Sequence, residues 1–144
     1  MSRASKNVIL VEQNDLIRLL AAEWLSAAGF DVVAAAGAGD VPAGGSADVV
    51  IADLPAPRET GAQILRLLRQ SHPGVPLIAT SACFLAGVGG CADAAKRLGV
   101  ARVLAKPYTR EQLLSFVREA LQEFAGEAKA RDNAAPVPNR DPSP

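Results

Sequence analysis

The chain has 144 residues, 49% hydrophobic and 21% charged, which suits one ordinary globular domain with a real core. Fifteen basic against fifteen acidic side chains leave a formal net charge of zero, so no basic surplus points to nucleic acid or anionic lipid. Cys83 and Cys91 form no metal or disulfide pattern, and the single histidine, His72, argues against a histidine-based metal site or triad. The two thiols read as reduced, and no apolar run near the N-terminus is long enough for a signal peptide or a membrane span. A cytoplasmic location is the expectation.

Val8-Ile9-Leu10-Val11 is β-branched and wholly apolar, the mark of a central strand. Polar Glu12-Gln13-Asn14-Asp15 follows. Ile17, Leu20, Ala21, Trp24, Leu25 and Ala28 then recur at helical spacing, with Asn14 or Asp15 as cap and Gly29 as stop. Residues 30–36 read as a second strand. Residues 37–47 carry four glycines and Pro42, a composition that supports only a shortened or irregular helix.

Val49-Val50-Ile51-Ala52 is a strand buried on both faces, and it ends at Asp53, with Pro55 and Pro57 beyond. A helix is predicted over 62–70 with Ile64, Leu65 and Leu68 inward. A fourth strand spans 75–81, entered through Pro76. Residues 82–90 are glycine-rich, a stretch expected to move, and precede a short helix over 91–98. The fifth strand covers 100–105. Thr109-Arg110-Glu111-Gln112 is a capping box opening the last helix, whose stripe is Leu113, Val117, Ala120, Leu121 and Phe124. A boundary falls at residue 126: 1–126 form the domain, and 127–144 read as a disordered Ala/Pro-rich tail.

Strands and helices alternate, so the predicted fold is α/β: a flavodoxin-like, doubly wound five-stranded parallel sheet of order 2-1-3-4-5 with helices on both faces. In such a sheet all strand ends share one edge. Glu12 and Gln13, Asp53, Ser81 and Lys106 follow or end four strands and so converge there. Asp53 read alone serves equally well as a turn cap. Taken together, the carboxylates, hydroxyl and lysine suit a phosphoryl group beside a divalent cation, with Asp53 as nucleophile.

The order of these motifs (acidic residue after a strand, Asp-x3-Pro-x3-Gly, Ser-Ala, Lys-Pro-aromatic) resembles a response-regulator receiver domain of two-component signalling over about residues 7–124. The resemblance implies that Asp53 is the phosphoacceptor. It implies that Glu12, Gln13, Asp53 and the Pro55 backbone carbonyl hold Mg²⁺, and that Ser81 and Lys106 engage the phosphoryl group. Ala82 would keep access open. Ser81, Val103 and Tyr108 would belong to the switch and output region, and the peptide before Pro107 would be cis. Two departures stand out. Gln13 replaces a carboxylate, which predicts weakened metal binding. Val103 replaces an aromatic whose swing reports phosphorylation, so output would come from loop and helix movement.

The implied protein is a stand-alone receiver rather than an enzyme, at most catalysing its own phosphotransfer and dephosphorylation. Its partners would be a histidine kinase or histidine phosphotransfer protein and a downstream protein target, with no nucleic acid and no membrane. The face of the fourth helix, fifth strand and last helix would bind that target or a second copy. The alternative is a degenerate receiver, a phosphorylation-independent binding or dimerisation module. An aspartyl-phosphate phosphatase is disfavoured because Pro55 stands where an acid–base Asp would be needed. A flavin carrier is disfavoured because the turn after Val11 lacks a phosphate loop.

Overall fold

The computed structural model describes residues 5–41, 46–54, 61–82, 96 and 98–134, and for 124–134 the backbone only. Five parallel strands, β1 (Asn7–Val11), β2 (Asp31–Ala35), β3 (Val49–Asp53), β4 (Leu77–Ser81) and β5 (Arg102–Ala105), lie in the order β2-β1-β3-β4-β5. Three α-helices occur among the described residues: α1 (Asp15–Ala27), α2 (Ala62–Ser71) and α3 (Arg110–Ala134). The doubly wound order predicted from sequence is the order observed.

Side chains alternate across each strand, which divides the core into two layers. Ile9, Val11, Val50, Ala52, Ala79 and Val103 face Leu65 and Leu68 of α2. Val8, Leu10, Val49, Ile51, Ile78 and Leu104 face Ala21 and Leu25 of α1 and Leu113, Val117 and Ala120 of α3. β1 and β3 are almost wholly buried, as their unbroken apolar runs require.

Local chemistry sets the helix ends. The Asn14 side chain accepts from the Ile17 amide and caps α1. Gly29 follows with φ 100°. The capping box forms as expected: Thr109 N donates to Gln112 Oε1 at 2.9 Å, and Gln112 N donates to Thr109 Oγ1 at 3.1 Å. Between β2 and β3 the described residues hold a single 3-10 turn, Ala38–Asp40, and 42–45 lie outside the described residues.

Several boundaries differ from the sequence reading. β4 starts at Leu77, not at residue 75, because Pro76 has no N–H to give a ladder. β2 starts at Asp31 and β5 at Arg102, each later than predicted. Leu20, assigned to the buried stripe of α1, is 39% exposed, while Ala21 and Leu25 are buried. The last helix runs through Gly126 to Ala134, past the boundary placed at 126. Alanine, glutamate, lysine and arginine dominate 127–131 and favour helix, and one glycine costs only about 1 kcal/mol. Residues 135–144 lie outside the described residues, as do 83–90 and most of the predicted helix 91–98; Lys96 and Leu98, which are described, are helical.

The positive φ of Gly29 is a purely backbone demand, since an added Cβ there would meet nothing within 4 Å. Gly29→Ala should lower the unfolding free energy by about 1–2 kcal/mol in urea titrations. Gly39→Ala, at an equally open position without that φ, should change it by less than about 0.5 kcal/mol.

Candidate functional site

The parallel ladders deliver the polar residues to one edge. Asp53 is the last residue of β3 and pairs with Thr80 of β4. Ser81 pairs with Ala105, and Lys106 N continues that ladder by donating to Ser81 O at 3.1 Å. Glu12 N likewise donates to Ala35 O at 2.9 Å, so Glu12 is held at the end of β1 before the chain turns into α1.

Three of these side chains meet. Lys106 Nζ lies 2.9 Å from Asp53 Oδ1 and 2.9 and 3.0 Å from the two Glu12 carboxylate oxygens. Glu12 is 1% exposed and Asp53 7%, so the ammonium is the main counter-charge for two carboxylates largely removed from water. Burial alone would lower the Lys106 pKa. Hydrogen bonds to Glu12 and Asp53, and the charges they carry, outweigh it, and the net shift is upward from 10.5. Asn14 N donates to Glu12 Oε2 at 3.1 Å, fixing the carboxylate from its other side.

The cluster opens into a cavity of about 680 Å³. Glu12, Gln13, Asn14, Asp53 and Lys106 form its polar side, and Ile17, Leu20, Trp24, Ala82, Pro107 and Tyr108 its largely apolar side. Gln13 is exposed at this mouth and Ser81 is fully buried at the end of β4. Val103 sits in the core layer against α2, 4% exposed. The Lys106–Pro107 peptide is cis. Tyr108 packs against the α1–α3 layer, and its hydroxyl is buried without a hydrogen-bond partner among the described residues. Burial, then the charges of Glu12 and Asp53, push its pKa well above the ordinary value, so the phenol keeps its proton. The Pro55 carbonyl lies outside the described residues. Among those residues no group of three or more His, Cys, Asp or Glu side chains is placed to hold a metal ion.

Sequence reasoning missed Arg18. Its Nη1 donates to the Glu12 carbonyl oxygen at 2.9 Å, and its Nη2 pairs with Asp15 at 2.6 Å. An Asp and an Arg three apart on a helix look like an ordinary surface pair, and nothing in their spacing marks the bond to the loop.

The model for the response regulator receiver domain matches residues 8–118. This chain belongs to the response regulator receiver family. The receiver is 31% identical to the sensor kinase CckA of Brucella abortus (strain 2308) over 126 residues, covering 83% of this chain and 13% of that protein. It is 34% identical to the Regulator of RpoS of Escherichia coli (strain K12) over 107 residues, covering 71% and 30%. It therefore spans less than a third of the length of either curated relative. A CheY-like receiver domain protein from Methanospirillum hungatei JF-1 superposes with a TM-score of 0.71 at 21% identity, over 86% of this chain and 99% of that one. No described helix is long and apolar enough to cross a membrane.

The charge balance makes a stability prediction. Lys106→Met would leave two buried carboxylates facing each other, and should destabilise the receiver by about 3–5 kcal/mol in urea at neutral pH. Asp53→Asn leaves one carboxylate to one ammonium, and should leave stability unchanged or raise it.

Proposed function

We propose that the receiver accepts a phosphoryl group on Asp53 from a phosphohistidine-bearing partner. The observation that carries this reading is the Lys106 ammonium shared by Asp53 and Glu12 at the mouth of a cavity. An Asp53 carboxylate oxygen attacks phosphorus and the P–N bond breaks. The imidazole leaves with the bonding pair and takes a proton from solvent, and Asp53 becomes an acyl phosphate. Lys106 stands where negative charge builds on the phosphoryl oxygens, and Tyr108, kept protonated, adds no negative charge.

The residues fit a divalent cation of modest affinity. Glu12 and Asp53 already share one cation, the Lys106 ammonium, and Gln13 lines the same cavity with an amide oxygen to offer. These are hard oxygen donors of the kind Mg²⁺ takes. Two carboxylates against one ammonium leave a single net negative charge. Mg²⁺ held by Glu12, Asp53 and Gln13 would neutralise phosphoryl oxygens.

The partner's docking side is suggested by α1. Leu16 and Leu19 are each 65% exposed, and Leu20 lines the cavity beside Asp53. An apolar helical face on the donor would cover them while presenting its histidine to Asp53. For output, β5 and α3 offer a joined surface, where Arg102 pairs with Glu119 and Glu123. Val103 is locked in the core, so the signal passes through backbone shifts near Lys106 rather than through a side-chain swing at 103.

A second reading is a binding module independent of phosphate. The observation favouring it is the missing third carboxylate: Gln13 is exposed and neutral.

Intact-mass analysis after treatment with acetyl phosphate and Mg²⁺ separates the two. One phosphoryl mass on the wild type and none on Asp53→Asn is expected. Label persisting on Asp53→Asn would refute the acceptor assignment, and no label on a folded wild type would favour the module. Gln13→Asp should tighten Mg²⁺ binding about tenfold by adding a charged ligand, as read by calorimetry. An unchanged affinity would mean that this side chain does not reach the ion.

A further inference from the structure

α1 sends one side chain back into the loop it springs from. Arg18 lies just past the first turn of the helix, and its side chain is 24% exposed. Nη1 donates to the Glu12 carbonyl oxygen at 2.9 Å and approaches the Gln13 carbonyl oxygen at 3.5 Å. Nη2 pairs with Asp15 Oδ1 at 2.6 Å. Glu12 is thus held on three sides: its amide donates to Ala35 O, its carboxylate accepts from Asn14 N, and its carbonyl accepts from Arg18.

We propose that Arg18 is a positioning residue, which fixes the peptide planes after Glu12 and Gln13 and so aims both side chains into the cavity beside Asp53. This rests on the phosphoacceptor reading of that cavity. The orientation of a carbonyl sets the dihedrals on either side of its peptide, because the peptide itself is planar. Anchoring two successive carbonyls therefore defines where the Glu12 and Gln13 side chains leave the backbone. Asp15 balances the guanidinium charge, so Arg18 contributes donors without adding net positive charge to the site. Lysine cannot substitute. Its single nitrogen is a point donor, whereas the guanidinium fork spans the loop carbonyls on one nitrogen and Asp15 on the other. The arrangement matters more here than in a receiver with three carboxylates, since Gln13 must ligate by amide geometry without the help of charge.

The test compares the wild type, Arg18→Ala and Arg18→Lys as full chains. Amide hydrogen exchange reads the loop independently of any phosphoryl chemistry. The Asn14 amide, bonded to the Glu12 carboxylate, should exchange about tenfold faster in Arg18→Ala while the amides of β3 and β4 keep their protection. Beryllofluoride with Mg²⁺ should bind about tenfold or more weakly to Arg18→Ala, the usual penalty for losing a group that orients a ligand. Trp24, the sole tryptophan and a lining residue of the cavity, reports that binding by fluorescence. Arg18→Lys should recover only a minor part of either loss. Unchanged Asn14 exchange, exchange raised uniformly over the sheet, or unchanged beryllofluoride affinity in Arg18→Ala would each overturn the proposal. A wild type that does not bind beryllofluoride would instead refute the phosphoacceptor reading, and the Asn14 exchange would then decide the role of Arg18 alone.

Discussion

One ammonium between two buried carboxylates organises the functional edge of this receiver. Asp53 and Glu12 end adjacent strands and sit almost out of water. Two like charges so placed would repel strongly without a counter-charge. Lys106, one residue past β5, supplies it at 2.9 Å from each. The side chain comes from 94 residues beyond Glu12 in the sequence, so the charge cluster exists only when the whole sheet is assembled. The same contact that neutralises the folded site places a cation where a transferred phosphoryl group would carry its charge. Stability and chemistry are coupled at this point.

The rest of the fold serves that edge. Two apolar layers hold the sheet, and the parallel registers bring four strand ends level. Between β2 and β3 the helical residues among those described are the 3-10 turn Ala38–Asp40. Val33, paired with Ile9 on the edge strand β2, is 47% exposed. The other layer is closed by α1 and α3, and the cavity beside Asp53 borders it through Trp24 and Tyr108.

Much of this was legible in the sequence. Unbroken apolar runs gave away β1 and β3, because only a strand covered on both faces tolerates them. The polar residues that end or follow β1, β3 and β5 then share one edge, which groups Glu12, Asp53 and Lys106 from the sequence alone. Less could be read where geometry rather than periodicity decides. Leu20 keeps helical spacing with the core residues but lines the cavity, where no strand covers it. The prolines from 136 onward suggested an early end to the last helix, yet helix-forming residues carry it to Ala134. Arg18 could not be assigned from spacing, since its bond runs backward to main-chain oxygens that every residue possesses. Gln13 and Val103 were recognisable as departures, and the structure adds that one is exposed while the other is fixed in the core.

The most direct measurement of the central contact is an NMR titration of Lys106 through its ε-methylene signals. A midpoint above 10.5 is expected, because burial, which lowers it, is outweighed by the hydrogen bonds and charges of Glu12 and Asp53. Its contribution to stability is then fully present below the unfolded lysine pKa and is lost as pH rises through the folded value. Neutralising Glu12 or Asp53 by amide substitution should move the midpoint down. A midpoint at or below 10.5 in the wild type, unmoved by either substitution, would contradict the shared ion pair on which the functional reading stands.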